Sequence, residues 1–415
     1  MRAALRVPGL VLALSIALSG APVLAQDAPA WRVVDEQPVE VDGAPIALSP
    51  DGTMIAGTGP DNDFCVWDVA TLDPTCDGAA EDVGGVITAS VTWSPDSTAV
   101  AFSLDSPRLF IDSDVYVFET STGTLENLTD DDPNDTGADD IGFSGKNDTP
   151  VPIDLYPSWS PDSQSLVFAR TMWSFGGDTV SGTTLMTIPR AGGDPEELLV
   201  LAPPEPMIVN GTMTWQDDDT ILFSIWKVNH EDAQTGIWRT SLDGGLKPVL
   251  RGARGNDVPL PQIADVSGDG AGASIVSLLN ASDAATSGDS YVLLGLEDGA
   301  LMPWNDLLGL DADAGTIYAP PTFSPDDLSV AFLTQNQDDA VTISIADDLG
   351  TSTPLITFGE DDGRPAYPPS LTGTGIHWAT NDTMLIRTHL GVSILTLERT
   401  GVATPVLPCA CTPPR

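Results

Sequence analysis

The sequence has little positive charge. It carries 16 lysines and arginines against 60 acidic residues, a formal net charge of −44 at pH 7, and only three of the basic residues are lysines. A chain this acidic repels nucleic acid and anionic membrane surfaces, so we expect neither as a partner. The surplus acid is typical of a solubilising or salt-adapted surface, and divalent-cation binding is the alternative explanation.

Motifs for common catalytic chemistry are also missing. Histidine occurs only at positions 230, 377 and 389, with no HExxH motif and no cluster at metal-ligand spacing. No G-x-S-x-G nucleophile elbow is present, since the string GFSGK at 142–146 fails at its last position. We therefore expect a protein that is not an enzyme. Because carboxylates are so numerous, the sequence leaves a glycosidase-type pair open.

Long apolar runs are limited to the N-terminus. Arg2 and Arg6 precede an apolar run at 7–18 that is too short to span a bilayer, and Val23-Leu24-Ala25 fits a cleavage site. These features predict a signal peptide at 1–25 and no transmembrane segment. The mature chain would be exported to the periplasm or the extracellular space, and loss of the two arginines would change its net charge from −44 to −46.

Cysteine is scarce but suits an oxidising compartment. The four cysteines are Cys65, Cys76, Cys409 and Cys411, and four allow three pairings. Cys65 and Cys76 flank the turn of one predicted hairpin, which favours a cross-strand disulfide between them. Cys409 and Cys411 would then pair locally or stay free. The alternative pairing would tie the C-terminus to the first repeat.

What the sequence does contain is a repeat. Residues 91–103, VTWSPDSTAVAFS, read as a strand, a Ser-Pro-Asp turn and a second strand. Close copies occur at 46–57, 157–168 and 321–332, and weaker ones follow Trp215, Val266 and Trp378. The residue before each turn, here called the anchor, is in turn Leu48, Trp93, Trp159, Trp215, Val266, Phe323 and Trp378.

The spacing of the anchors predicts the fold. From Leu48 to Trp378 there are 330 residues in six intervals, a mean of 55. Second hairpins follow the anchored ones, for example at 114–128 and 237–250, so each repeat holds four strands. A repeat of this length is typical of a propeller blade. We therefore predict an all-β, seven-bladed propeller of four-stranded antiparallel blades, with the anchors filling the gaps between blades and His377, beside Trp378, in a structural role.

The W-S-P-D-(G/S) turn followed by a short apolar strand resembles the WD-repeat-like propeller repeats of TolB-type proteins. The resemblance covers about residues 46–407 and implies a ring with a central channel, often used for protein binding in the bacterial envelope. In contrast to TolB, we expect no α/β domain before the propeller, because only some 20 residues separate the predicted signal peptide from the first repeat. The predicted organisation is a signal peptide at 1–25, an N-terminal segment at 26–45 that could close the ring, a propeller at 46–408 and a tail at 409–415.

Two features are candidate sites. The string DDDPNDTGADD at 130–140 holds six aspartates, and calcium prefers such oxygen ligands. Asp130, Asp132, Asp135 and Asp139 are therefore candidate calcium ligands, with a solvated acidic loop as the alternative. The second feature is a set of basic and aromatic residues near the predicted loops between second and third strands. These candidate ligand-binding residues are Arg170, Trp173, Trp226, Lys227, Arg387 and His389.

The sequence thus predicts an exported, monomeric propeller that acts as a binding or scaffold module for a protein or small-molecule partner. Its partner would be a protein in the envelope or the extracellular space, and no cofactor other than calcium is expected. The alternative function is a hydrolase or lyase with a carboxylate site, assisted by calcium, at the mouth of the channel.

Overall fold

The computed structural model describes residues 30–61, 63–76, 91–103, 113–130, 151–174, 179–201, 207–209, 211–227, 235–251, 260–278, 291–310, 316–317, 319–336, 338, 340–348, 351–358, 376–388 and 391–400. Their strands form seven antiparallel sheets, each with four strand positions from the innermost to the outermost. This confirms the predicted seven-bladed propeller. No helix in these ranges is long and apolar enough to cross a membrane.

The first three blades follow the repeat in chain order. Blade 1 consists of β2 (Ala44–Leu48), β3 (Met54–Thr58), β4 (Phe64–Asp68) and β5 (Pro74–Cys76). Blade 2 consists of β6 (Thr92–Trp93), β7 (Ala99–Ser103), β8 (Val115–Glu119) and β9 (Thr124–Asn127). Blade 3 has longer strands, namely β10 (Val151–Trp159), β11 (Ser165–Ser174), β12 (Thr179–Pro189) and β13 (Glu196–Leu201).

The innermost strand is interrupted in two of the next three blades. Blade 4 contains β14 (Met207–Val209) and β15 (Thr214–Trp215), which both pair with β16 (Thr220–Lys227), then β17 (Gly236–Ser241) and β18 (Lys247–Arg251). Blade 5 contains β19 (Leu260–Val266), β20 (Gly272–Leu278), β21 (Tyr291–Gly295) and β22 (Leu301–Pro303), followed by a short helix, α1 (Trp304–Leu307). Blade 6 contains β23 (Thr316–Ile317), β24 (Thr322–Phe323), β25 (Val330–Gln335), β26 (Val341–Asp348) and β27 (Thr351–Phe358).

Blade 7 is built from both ends of the described chain. Its first three strands are β28 (Ile376–Thr380), β29 (Thr383–Thr388) and β30 (Gly391–Thr400), and its outermost strand is β1 (Ala30–Val39). β1 pairs antiparallel with β30, from Ala30 opposite Thr400 to Val39 opposite Val392. The N-terminal segment therefore closes the ring through the backbone hydrogen bonds of one sheet.

The hydrophobic core is divided among the gaps between blades. Seven clusters of buried side chains occur in the described residues, and each joins two neighbouring blades, including blade 7 with blade 1. Leu48, Trp93, Trp159, Phe323 and Trp378 are buried within these clusters. The predicted role of the anchors as inter-blade packing is confirmed for these five, whereas Trp215 and Val266 are only half-buried.

Candidate functional site

Each anchor side chain points toward the preceding blade, and the residue before it points toward the following blade. The indole N–H of Trp93 donates to the Ala47 carbonyl at 3.1 Å, that of Trp159 to the Thr92 carbonyl at 3.1 Å, and that of Trp215 to the Ser158 carbonyl at 3.4 Å. Each acceptor lies in the preceding blade. Because successive side chains of a strand point in opposite directions, the residue before each anchor faces the following blade, and two such residues, Asp265 and His377, are ionisable.

One face of the ring carries the turns between first and second strands and is called the turn face. The turns lie at 49–52, 94–97, 160–163, 216–219, 267–270, 324–327 and 381–382. Within blade 3, the Ser160 hydroxyl donates to Asp162 Oδ1 at 2.6 Å, and the backbone N–H of Gln164 donates to the same oxygen at 3.0 Å. These hydrogen bonds lower the pKa of Asp162. The same serine–aspartate pair recurs in blades 1, 2, 5 and 6.

Neighbouring turns are also linked to one another. The backbone N–H of Asp51 donates to the Ser97 hydroxyl of the next blade at 3.1 Å, and that of Asp96 donates to the Ser163 hydroxyl at 3.1 Å. Ser97 and Ser163 have φ values of 60° and 61°, a left-handed conformation that directs each hydroxyl across the blade gap at a cost in backbone strain. Asp327 links blades 5 and 6 in the same way.

Among the described residues, the gap between blades 3 and 4 lacks such a link between turns, as does the gap between blades 7 and 1. The turn of blade 4 is Gln216-Asp217-Asp218-Asp219 instead of Ser-Pro-Asp-Ser, and no hydrogen bond joins it to the blade 3 turn among the residues described. A cavity of about 540 Å³ lies here, the blade 3–4 groove, lined by Ser160, Pro161, Asp162, Ser165, Thr187, Ile188, Pro189, Glu196, Trp215, Asp218 and Leu242. The missing turn contact thus coincides with an opening in the turn face.

A second cavity of about 530 Å³, the channel cavity, occupies the turn-face end of the channel. Its walls come from six blades and include Thr92, Thr214, Asp265, Thr322 and His377. Pro161, Trp215 and Asp218 line both this cavity and the blade 3–4 groove. These three residues, among them Trp215, the half-buried anchor of blade 4, therefore form a wall that the two cavities share.

The Asp265 carboxylate joins blades 5 and 6 at the wall of the channel cavity. Its Oδ2 accepts hydrogen bonds from the Thr322 hydroxyl and the Phe323 N–H, both at 2.7 Å. Its Oδ1 accepts from the Val266 N–H at 2.9 Å. Desolvation nevertheless outweighs these bonds and raises the pKa of Asp265 to about 6. The group is therefore poised between its two protonation states near neutral pH.

His377 joins blade 7 to blade 1 on the same wall. Its Nε2 lies 3.1 Å from the Leu48 carbonyl oxygen, so Nε2 is protonated and donates, which confirms a structural contact for this histidine. The side chain retains surface exposed to the cavity, while the blades around it displace bulk water. This desolvation lowers the pKa of His377 and keeps the ring neutral at pH 7.

Two of the sequence-predicted ligand-binding residues have described side chains, and both contact the protein itself. The Arg170 guanidinium forms a two-point ion pair with Asp154, with distances of 2.8 Å and 2.6 Å, and the Asp154 side chain is only 2% exposed. Arg387 donates from Nη2 to the Pro45 carbonyl at 2.8 Å. Each arginine thus already stabilises the propeller wall.

The remaining predicted residues are described in part. Trp173 lies in β11 opposite Val151, and Trp226 and Lys227 lie in β16 opposite Ile208 and Met207. Their side chains, together with His389, Asp132, Asp135, Asp139, the cysteines at 409 and 411 and the signal peptide at 1–25, lie outside the described residues. Asp130 is exposed. Where the structure is described, no three Asp, Glu, His or Cys side chains gather in a metal-binding arrangement.

The predicted cysteine pair lies in blade 1. Cys65 in β4 is directly opposite Cys76 in β5, and their sulfur atoms are 2.02 Å apart, at disulfide distance. Cys65 is fully buried, so the bridge ties the outermost strand of the blade to its interior.

The channel residues were missed as a site by sequence reasoning. Asp265 precedes a weak anchor, Val266, in a degenerate repeat, and His377 was assigned a structural role only. Their position in the repeat could have identified them, because both residues stand immediately before an anchor. Thr92, Thr214 and Thr322 stand at the same position in their repeats and line the channel cavity as well.

The fold is similar to those of several solved propellers. The match to an oligogalacturonate lyase in complex with manganese has a TM-score of 0.53 at 16% identity, and covers 86% of this chain and 90% of that one. An oligogalacturonate lyase from Vibrio parahaemolyticus gives a TM-score of 0.50 at 13% identity, with 87% and 91% covered.

A putative TolB from Agrobacterium tumefaciens is 13% identical and covers 90% of this chain and 99% of its own, with a TM-score of 0.36. No protein-family model and no curated protein sequence matches the chain. At these identities the similarity to known structures shows the propeller fold alone.

Proposed function

We propose that this protein is a binding module that holds part of a protein partner at the turn-face end of its channel. The observation that supports this proposal is the channel cavity, about 530 Å³ in volume and lined by hydroxyl, carboxylate and imidazole groups from six blades. A pocket of this size accepts a side chain or a short loop. Its position at the axis gives a partner access to several blades at once.

The hydrogen bonds of the channel residues give these groups a structural role in the wall of the cavity. Both oxygens of Asp265 accept hydrogen bonds from the protein, and His377 Nε2 donates to Leu48. The contacts with Thr322, Phe323 and Leu48 join neighbouring blades, so these side chains form a fixed wall against which a partner can bind.

A hydrolase or lyase is the second candidate because the Asp265 carboxyl group lines the channel cavity, where desolvation raises its pKa to about 6. A carboxyl group with such a pKa can serve as a general acid near neutral pH. The substrate would differ from that of the oligogalacturonate lyases, since an acidic oligosaccharide would be repelled by a chain with a formal net charge of −44.

The proposal includes export to the periplasm or the extracellular space as a monomer. The cysteine pair at disulfide distance supports an oxidising compartment. The sequence-predicted set of Arg170, Trp173, Trp226, Lys227, Arg387 and His389 stays a predicted second contact surface. To bind a partner, Arg170 would have to give up its ion pair with Asp154, and Arg387 its hydrogen bond to the Pro45 carbonyl.

Affinity capture with the mature chain, residues 26–415, tests the proposal. Thr92→Tyr places a ring in the channel cavity, whereas Thr124→Tyr adds the same ring to the exposed outermost strand of that blade. We expect one protein from the native envelope or medium to be retained by the unmodified chain and by Thr124→Tyr, and lost with Thr92→Tyr. Equal retention by both variants would contradict the proposal, as would cleavage of a glycan by the purified chain.

A further inference from the structure

The blade 3–4 groove lies where blade 4 departs from the repeat. In blades 1 and 2 the third turn residue donates its N–H to a serine of the next blade. Blade 3 has the donor-side turn, Ser160-Pro161-Asp162. Asp217 of blade 4 accepts the same turn hydrogen bond as Asp162, so Asp218 stands where the serine would be, with Asp219 after it. Asp218 and Asp219 are exposed, so the two turns are separated and leave the groove open.

The floor of the groove is apolar and aromatic. Pro161, Ile188, Pro189, Trp215 and Leu242 line it, and Leu242 is 45% exposed, one of four large exposed hydrophobic residues in the described chain. Trp215 is half-buried, and its indole hydrogen bond to Ser158 is 3.4 Å, against 3.1 Å for Trp93 and Trp159. A partly exposed tryptophan beside aliphatic groups is typical of the centre of a peptide-binding surface.

The rim of the groove is acidic. Asp162, Glu196 and Asp218 are the charged residues that line it. The Asp162 carboxylate already accepts hydrogen bonds within its own turn. Glu196 and Asp218 are exposed, and their carboxylates accept no hydrogen bond from the described protein. Two carboxylates beside an apolar floor complement a segment that carries both lysine or arginine and apolar side chains.

We infer that the blade 3–4 groove docks an extended, basic segment of the protein partner, with apolar side chains against Trp215 and Leu242 and cationic ones at Glu196 and Asp218. This inference rests on the proposed function, because the groove shares Pro161, Trp215 and Asp218 with the channel cavity. The apolar contacts supply most of the affinity, since ion pairs at an exposed rim contribute little each. The carboxylates select the charge of the segment.

The test uses a fluorescein-labelled eight-residue peptide with lysine and leucine at alternate positions, and counterparts with glutamine or glutamate instead of lysine. Binding to the mature chain is measured by fluorescence anisotropy at 150 mM salt. The groove variant is Glu196→Gln with Asp218→Asn. The matched control, Glu126→Gln with Glu297→Gln, removes two exposed carboxylates from other blades.

We expect the lysine peptide to bind tightest and the groove variant to bind it about fivefold more weakly, while the control changes its Kd by less than about twofold. Leu242→Asn should weaken binding of the lysine and glutamine peptides alike by about threefold or more. The same groove variants should release the captured partner.

Equal weakening by groove and control variants would show that net charge alone attracts the peptide, and would overturn the inference. The inference would also be overturned if the glutamate peptide bound as tightly as the lysine peptide. If Thr92→Tyr abolishes partner capture while the groove variants leave it intact, the proposed function stands and the docking groove is wrong. If Thr92→Tyr has no effect on partner capture, the proposed function itself fails.

Discussion

At the scale of single residues, the position before each anchor decides the chemistry of the channel. The anchor packs toward the preceding blade, and its neighbour faces the following one. In most blades that neighbour is a small or hydroxyl-bearing residue, such as Ala47, Thr92 or Thr322. Asp265 and His377 bring ionisable groups to the same position, so proton binding there is coupled to contacts between blades.

Replacement of Asp265 by asparagine should change how stability depends on pH. The pKa of Asp265 rises from 3.8 to about 6 on folding, so the folded chain binds more protons than the unfolded chain between pH 4 and 6. Above pH 6 the charged carboxylate therefore lowers the free energy of unfolding, and this loss becomes smaller as the pH drops. Relative to Asp265→Asn, the natural chain should gain about 1 kcal/mol in unfolding free energy between pH 7 and pH 5.

Urea denaturation of both proteins at pH 5 and pH 7 measures this difference. Asp218→Asn, at an exposed site with no hydrogen bond in the described structure, is the control. A difference between the natural chain and Asp265→Asn that does not change with pH would mean that the carboxylate keeps its ordinary proton affinity.

Trp159 should be among the costliest single residues to remove. It is 4% exposed, packs between blades 2 and 3 and donates to the Thr92 carbonyl. Trp159→Ala should lower the unfolding free energy by about 3–5 kcal/mol. Trp159→Phe keeps much of the packing and should cost clearly less, chiefly through the unpaired Thr92 carbonyl. A change of less than about 1 kcal/mol for Trp159→Ala in chemical denaturation would contradict the packing role.

At the scale of elements, the hairpins could be predicted because their determinants are local. Serine, proline and aspartate at successive positions define the turn, and the anchor stands directly before them. The links between turns could not be predicted, since Asp51 and Ser97 are 46 residues apart. The same limit applies to Arg170 and Arg387: the sequence shows their charge but not the contacts with Asp154 and the Pro45 carbonyl.

The blade 3–4 groove is a second feature that the sequence could not predict. The turn of blade 4 is visibly degenerate in the sequence, with Gln216 to Asp219 in place of Ser-Pro-Asp-Ser. Whether a degenerate turn is compensated or leaves an opening depends on the facing blade. Here the Ser160-Pro161-Asp162 turn of blade 3 finds no partner across the gap among the described residues, and this fact is available only from the structure.

β1 should determine whether the ring stays closed. Beyond its pairing with β30, it places Trp31 against Trp378 and directs the Trp31 indole N–H to Asp347 at 2.6 Å. Arg399 lies over the Trp31 ring and also pairs with Asp347. Deletion of residues 26–41 exposes the edge of β30 and leaves Asp347 without its indole donor, so the melting temperature should fall by about 5 °C or more.

Trp31→Ala provides a milder test of the same contact. It keeps the strand and removes the buried ring, so its melting temperature should lie between those of the natural chain and the deletion variant. Unchanged melting of the deletion variant would show that blade 7 holds the ring closed without β1.

At the scale of the whole molecule, the charge imbalance opposes folding. A formal net charge of −44 on 415 residues concentrates like charges when the chain becomes compact. Salt screens this repulsion, so the melting temperature should rise with sodium chloride in the natural chain. Because general screening stabilises any such protein, specific cation binding can be recognised only against a control of matched ionic strength.

Calcium should stabilise the chain beyond this screening if the aspartate-rich string at 130–140 binds it. We propose Asp130, Asp132, Asp135 and Asp139 as ligands, because calcium takes several carboxylate oxygens at exposed loops. A site with a Kd of about 0.1 mM would add about 1.4 kcal/mol at 1 mM calcium. The melting temperature at 1 mM calcium chloride should therefore exceed that in sodium chloride of equal ionic strength.

Replacing all four aspartates by asparagine should abolish this extra stabilisation by calcium. The matched control replaces Asp42, Asp73, Asp194 and Asp243, which are exposed elsewhere, and should keep it. An equal response of both quadruple variants, or no heat of calcium binding by calorimetry, would assign the acidic string to general charge repulsion instead.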